Sequence, residues 1–366
     1  IGEVAADTNT VINLAGLDEI NKVVSQGTAA DGVGAALNTL TINNFTSGGT
    51  LEIEDDNPAL TGTIVAVSGA AVGTADVFNL NIDTGTSTGV VAAGSVTIAD
   101  VETINISTQD GQTATTDVAA TIQTATLVAT SATAVSVSGN NGLTLTNTGN
   151  VKIADFDASG VVADKSTDTA ANLAVSFTSD NVTTAVSITG GAGNDTLVAD
   201  SASTKVNTIS GGAGGDTITG GAGNDILIGG AGADIITGNA GADTMTGGAG
   251  NDSFVVGISA TSSVHDVITD ATAGDTITLA ANLGDTFATT AKAADGATFA
   301  ELLDLSSAVA DEASWFVYDG NTYIVGSDDA DSAFTNGTDT VVELTGVFDL
   351  SNSTIADDVL TLVDIA

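Results

Sequence analysis

The chain has 366 residues, with 46 Asp and Glu against five lysines, no arginine and no cysteine, for a formal charge of -41. A surface of that sign repels nucleic acid and anionic lipid, so neither is expected as a partner, and no disulfide can form. Hydrophobic content of 42% argues against the disorder that extreme acidity otherwise signals, and no apolar run reaches the roughly 18 residues of a membrane span. The length suffices for two or three domains, and an acidic chain rich in Thr, Ala, Val, Ser and Gly suits a β-rich protein that binds cations in quantity.

Residues 1–185 read as β-strands. Leu51–Glu54, Val77–Ile82, Ile104–Ile106, Val135–Val137, Leu143–Leu145 and Leu173–Phe177 mostly alternate apolar with small or polar residues, the period of a strand with one buried face. Asn, Gly, Asp and Ser punctuate them at irregular spacing. A β-solenoid is the first expectation for this domain and a β-sandwich the second; Leu17–Val24 reads as one or two helical turns. Asp155-Phe-Asp157-Ala-Ser159-Gly160 matches the first half of a calcium loop of EF-hand type, although position twelve is Ser166 rather than Glu. Asp155 and Asp157 are therefore candidate cation ligands, with a plain Asx turn as the alternative. The acidic runs Glu52–Asp56 and Asp328, Asp329, Asp331 are weaker candidates, more simply solvated loops.

Between residues 186 and 256 the pattern becomes strict. Gly190–Val198 is one nonapeptide, a degenerate unit fits at Ala202–Ser210, and five units then abut from Gly211 to Val255. The sixth place carries Asp195, Asn207, Asp216, Asp225, Asp234, Asp243 and Asp252. Two places later stand Ile218, Leu227, Ile236, Met245 and Phe254. The glycines Gly191, Gly193, Gly212, Gly214, Gly221, Gly223, Gly230, Gly232, Gly241, Gly248 and Gly250 permit a tight turn whose carbonyl oxygens are bare. Each unit therefore makes a turn and a short strand with one residue pointing inward, and two units make a coil. Turns 18 residues apart stack on one edge, which places Asp216, Asp234 and Asp252 together and Asp225, Asp243 and Asn207 on the other edge. Stacked carboxylates and carbonyls are hard oxygen donors suited to Ca²⁺, and several ions are expected. A flexible Gly-rich linker needs neither the period nor the recurring apolar residue.

Residues 257–366 lose the repeat. Gly274–Leu279 reads as a turn and strand, and Phe299, Leu302, Leu303 and Val309 are spaced for one face of a short helix. Asp319-Gly320 between Trp315–Tyr318 and Thr322–Val325 is a hairpin signal. Val341–Leu344 and Val359–Val363 read as closing strands. A conventional β-rich core here would cap the open end of a solenoid.

The nonapeptides resemble the RTX, or hemolysin-type, calcium-binding repeats over about seventy residues. The hairpin Trp315–Val325, the stretch Gly337–Val347 and the apolar end Val359–Ala366 are similar to the C-terminal region of Caulobacter-type crystalline surface-layer (S-layer) proteins. That resemblance implies type I secretion through an uncleaved C-terminal signal, calcium-dependent folding and self-assembly into a lattice on the cell surface. No lipopolysaccharide-binding anchoring domain of that kind is recognisable. Enzyme signatures are missing too: there is no His-Glu-x-x-His and no Gly-x-Ser-x-Gly, and the single His265 reads as an ordinary turn residue. The expectation is an all-β, non-enzymatic extracellular protein: a solenoid, a calcium β-roll and a C-terminal cap. It partners copies of itself in a lattice or filament, with cell-surface polysaccharide as a further candidate partner. An RTX adhesin or binding module, or the tail of a secreted RTX enzyme, is the alternative.

Overall fold

The computed structural model describes residues 10–15, 20–25, 38–54, 60–67, 70, 75–84, 90–109, 121–164, 168–257, 264–279, 286–293, 295–306, 312–327, 334–335 and 338–365. They fall into two compact units, residues 1–197 and 198–366.

In the first unit successive strands alternate between two sheets, so that each pairs in parallel with the next strand but one. One sheet runs through Thr10–Asn13, Asn38–Phe45, Leu60–Val67, Ala92–Ala99, Gln123–Val128, Leu143–Asn147 and Val175–Thr178. The other runs through Lys22–Ser25, Thr50–Glu54, Val77–Asp83, Thr103–Gln109, Ala134–Gly139, Asp155–Val161 and Ser187–Thr189. This is the solenoid topology, not the sandwich.

The core follows from the alternation. Inward residues stack in register as apolar columns, Phe78–Ile104–Val135–Phe156–Ile188 in one sheet and Ile42–Val65–Ile98 in the other. Outward positions carry amides and hydroxyls that bond along the column: Asn105 Nδ2 donates to Asn79 Oδ1 at 2.8 Å and Ser136 Oγ to Asn105 Oδ1 at 2.9 Å. Two sequence expectations fail here. Lys22–Ser25 is a strand, paired with Thr50–Ile53, because Val23 and Val24 are β-branched and the segment lies in ladder register; residues 16–19 lie outside the described residues. Asp155 and Asp157 flank Phe156, whose ring stacks on Phe177 at 3.9 Å, and burying that ring makes the segment a strand instead of a calcium loop.

In the second unit the same scheme tightens. Thr217–Thr219, Ile235–Thr237, Ser253–Val255 and Thr276–Thr278 form one parallel ladder. Thr208–Ala213, Ile226–Ala231, Thr244–Ala249 and Asp266–Ile268 form the other. Ile209, Leu227, Met245 and Ile268 make one inward column, and Ile218, Ile236, Phe254 and Ile277 the other, each fully buried.

The pairing then changes hand. Val359–Thr361 is antiparallel to Thr276–Thr278. Thr340–Leu344 continues parallel to Asp266–Ile268 but is antiparallel to Asn321–Ser327, which forms the expected hairpin with Glu312–Tyr318. Asp319 and Gly320 both have positive φ, 48° and 84°, the requirement of a type I′ turn. The helix Phe299–Ser306 is opened by a reciprocal cap between Thr298 and Glu301 and packs Leu302 and Leu303 on Phe316, Tyr323, Val325 and Val341. Val309 lies outside the described residues.

The column predicts a sharp contrast. Leu227→Ala removes a residue with 0% exposure and costs about 2–5 kcal/mol, whereas Ile226→Thr, at 41% exposure, changes stability little. Denaturant unfolding in saturating Ca²⁺ measures both.

Candidate metal centre

The aspartates of the nonapeptides belong to turns that stack every 18 residues. Backbone Asp216 N–H donates to Asp234 Oδ1 at 2.7 Å, and Asp234 N–H to Asp252 Oδ1 at 3.0 Å. On the opposite edge Asn207 N–H donates to Asp225 Oδ1 and Asp225 N–H to Asp243 Oδ1, both at 2.7 Å. The two edges are those the spacing requires. Asn207 keeps the ladder's amide donor without adding charge. In the first unit Asp195 occupies the same kind of turn, accepting from Val175 N–H and Gly191 N–H at 2.7 Å each.

These carboxylates are buried, none more than 3% exposed. Glycine makes that possible by letting successive turns lie directly on one another. A Cβ on Gly230 (φ 121°) would stand 2.0 Å from the Gly212 carbonyl oxygen, and one on Gly248 (φ 102°) 1.9 Å from that of Gly230. The same close approach runs through Gly214, Gly232 and Gly250. Opposite, Gly241 lies on the Gly223 carbonyl, while Gly221 and Gly223 lie on the carbonyls of Ser203 and Lys205. In the first unit Gly191 and Gly193 press on the Val161 and Leu173 carbonyls.

The residues fit a hard cation. Asp234 Oδ2 and Asp243 Oδ2 are buried with no hydrogen-bond donor, an arrangement that strands a carboxylate's charge unless something positive adjoins it. A turn carbonyl lies beside Asp234: a Cβ on Gly229 would meet Asp234 Oδ2 at 2.3 Å and the Gly247 carbonyl oxygen at 2.5 Å. Among the described residues no group of three His, Cys, Asp or Glu side chains gathers as a metal cluster, so any ion here relies on main-chain oxygen as well as carboxylate. Asp216, Asp225, Asp234, Asp243 and Asp252, with the turn carbonyls, are the residues that would hold Ca²⁺; the ion supplies charge neutralisation between coils.

That recurrent turn decides the comparison with known proteins. Residues 185–203, 201–236 and 219–254 match the family model of the RTX calcium-binding nonapeptide repeat (4 copies). The segment carries RTX repeats. RTX repeats bind Ca²⁺ and are typical of secreted, extracellular proteins. No curated protein matches the chain. Among the described residues no helix is long and apolar enough to cross a membrane.

The RTX ladder does not stop at the matched segment. Asp243 N–H donates to Asp266 Oδ1 at 3.0 Å and Asp252 N–H to Asp275 Oδ1 at 2.8 Å, each 23 residues on instead of 18. Sequence reasoning missed both aspartates because a five-residue insertion breaks the period. The signal was present: Gly274-Asp-Thr-Ile-Thr278 repeats Gly215-Asp-Thr-Ile-Thr219, and Ile268 stands two places after Asp266.

The other candidates are not cation sites of the expected form. Asp155 and Asp157 are exposed strand residues, and Asp157 Oδ1 accepts from Ser159 N–H at 2.9 Å. Glu52 is a strand residue bridged by Lys22 Nζ at 2.8 Å and by Asn81 Nδ2 at 2.7 Å. Asp328, Asp329 and Asp331 lie outside the described residues. His265 Nε2 is 3.2 Å from Glu343 Oε2, which also accepts from the Tyr323 hydroxyl at 3.0 Å, while Glu343 Oε1 takes Asn321 Nδ2 at 2.6 Å. The histidine thus pins the last roll strand to the cap.

Burial raises the carboxyl pKa values. Asp243 is pushed up to about 8 by desolvation, with the Asp266 and Asp225 charges adding to it and the Asp225 amide opposing. Asp252 is pushed to about 6 by desolvation and by Asp275, Asp234 and Asp270. Asp195, Asp225, Asp234 and Asp266 shift upward from burial as well.

A carboxyl raised above its unfolded value of about 3.9 favours the fold only while protonated. The calcium-free roll is therefore most stable in acid and loses stability as pH climbs through 6 towards 8; Ca²⁺ replaces the protons. Melting followed by circular dichroism should give a lower midpoint at pH 8 than at pH 5 without Ca²⁺, and this loss should vanish in saturating Ca²⁺. Asp234→Asn preserves the acceptor for Asp216 N–H but removes charge, and should raise the calcium midpoint by at least the roughly tenfold typical of altering a metal's surroundings. Calcium titration of the variant, followed by the same signal, checks this.

Proposed function

We propose that the chain is a non-enzymatic extracellular structural protein, a subunit of a surface layer or surface filament that folds and assembles on Ca²⁺. The observation that carries this reading is the column of buried, stacked carboxylates at RTX turns. A site absent from the unfolded chain converts binding energy into folding energy. In the cytosol, where free Ca²⁺ is scarce, the roll stays unfolded and exportable, in keeping with type I secretion. Outside, Ca²⁺ near the roughly millimolar level of extracellular sites fills it. The charge of -41 then gives a second use for the ion, bridging acidic faces of neighbouring copies.

A second reading, an adhesin or polysaccharide-binding module, is favoured by one observation. The outward faces of the roll carry rows in ladder register with a hydroxyl at three places of four: Thr217, Ser253 and Thr276, interrupted by Ile235, and Thr219, Thr237 and Thr278, interrupted by Val255.

Negative-stain microscopy separates the two. Regular sheets or fibres in millimolar Ca²⁺, dissolved by EGTA, are expected for the scaffold. Monodisperse particles across the whole calcium range would overturn it and leave the adhesin.

A further inference from the structure

We propose that Lys22 and Asn81 become joined by an intramolecular isopeptide bond, with Glu52 as the proton carrier. The proposal does not rest on calcium: all three residues lie in the first unit, outside the segments that match the RTX repeat.

The ladder brings them together. Lys22–Ser25, Thr50–Glu54 and Val77–Asp83 are adjacent parallel strands, with Val24 opposite Glu52 and Glu52 opposite Asn81. Leu51 and Ile53 are buried in the core, so Glu52 faces outward, as do Asn81 beside it and Lys22 two places before Val24. Two nitrogens converge on one carboxylate oxygen: Lys22 Nζ is 2.8 Å from Glu52 Oε2, and Asn81 Nδ2 donates to the same atom at 2.7 Å. An ordinary surface ion pair needs only the lysine and the glutamate. Here a carboxamide shares the oxygen, which completes the set for condensing an amine with an amide: a nucleophile, an acyl carbon and a carboxylate between them to move protons. The surroundings are one-sided. Lys22 is half exposed, Glu52 is buried, and among the described residues Asn81 Oδ1 is buried with no hydrogen-bond donor.

The reaction opens with Glu52 taking a proton from the Lys22 ammonium. Its resting form suits a base: burial raises its pKa, but the hydrogen bonds from Lys22 and Asn81 and the Lys22 charge hold it below the ordinary glutamate value, so it begins ionised. The neutral amine, on a flexible four-carbon stem, then attacks Asn81 Cγ while the protonated Glu52 donates to Asn81 Oδ1. The Nζ–Cγ bond forms, the Cγ–Nδ2 bond breaks, and Nδ2 leaves as ammonium with both protons that Nζ sheds. Glu52 ends as the carboxylate it began as, and nothing is oxidised or reduced. The solvent side of Lys22 gives the ammonium a way out. The product ties Lys22–Ser25 to Val77–Asp83 across the strand between them. In a chain with no cysteine it is a covalent clamp that needs no oxidising compartment.

Intact-mass spectrometry of the folded full chain tests this. Wild type should be lighter than its sequence by one ammonia, and a protease digest should yield one branched peptide joining Lys22 to Asn81. Lys22→Ala and Glu52→Gln, both on the outward face, should each keep the full sequence mass. A wild-type chain at its sequence mass overturns the bond and leaves the calcium roll standing. So does an ammonia loss that persists in Lys22→Ala, which would place it at an asparagine cyclising on its own backbone. Should a variant not fold, the wild-type mass and digest decide alone: a branched peptide supports the bond, and separate Lys22 and Asn81 peptides overturn it.

Discussion

The structure of residues 198–366 depends on a backbone amide donating to a carboxylate one coil further on. Each such hydrogen bond to a charged acceptor contributes about 1.5–3 kcal/mol. The repulsion it must offset is comparable: two carboxylates one strand spacing apart, about 4.8 Å, repel by about 3–4 kcal/mol at an effective dielectric near 20. Burial adds a desolvation cost to every member of the column. Amides alone therefore do not hold Asp216, Asp234 and Asp252, or Asp225, Asp243 and Asp266, as bare anions. Protons or divalent ions complete the balance, and only the ions do so at neutral pH while the aspartates stay charged. The turn chemistry and the calcium binding of RTX repeats are the same fact seen from two sides.

Residues 1–197 show what the solenoid looks like when that requirement is relaxed. The strand alternation and apolar columns are similar, but turns are closed by neutral amides. Asn150 Nδ2 donates to the Leu127 carbonyl at 2.8 Å, and Asn181 Nδ2 to the Ile153 carbonyl at 3.1 Å. Outward columns use Asn79, Asn105 and Ser136 in place of charge. These turns are bridged along the stacking direction by neutral donors, and among the described residues Glu54 opposite Asp83 is a like-charge pair in ladder register. Buried carboxylate is thus concentrated where aspartate replaces asparagine at the turn, and Asn207 marks the same exchange within the repeats.

The contrast also explains what the sequence made legible. In the roll a turn of fixed composition meets a strand of fixed length, so the period is visible and both edges can be assigned from spacing alone. In residues 1–197 register is set by inward residues, and the loops absorb length at little entropic cost. The column Phe78, Ile104, Val135, Phe156, Ile188 advances by 26, 31, 21 and 32 residues, so no period exists to read. The same tolerance hid Asp266 and Asp275, since an insertion outside the sheet leaves pairing intact while breaking the count. Asp155 and Asp157 misled for the converse reason. Two aspartates around one residue suit a turn, and only the tertiary stacking of Phe156 on Phe177 reveals a strand.

A parallel ladder has no intrinsic end, because each coil offers the next the same donors and acceptors. Here the ladder is stopped by a change of hand. Val359–Thr361 runs antiparallel against Thr276–Thr278, and the Asn321–Ser327 hairpin strand turns antiparallel against Thr340–Leu344. The aromatic core around Phe316 and Tyr323 then replaces repeated small residues with one packed cluster that no further coil can copy. Thr340–Leu344 pairs both with the strand that Asp266 opens and with Asn321–Ser327, and His265 ties the former strand to Glu343, so ladder and side chain together fasten the cap to the last coil.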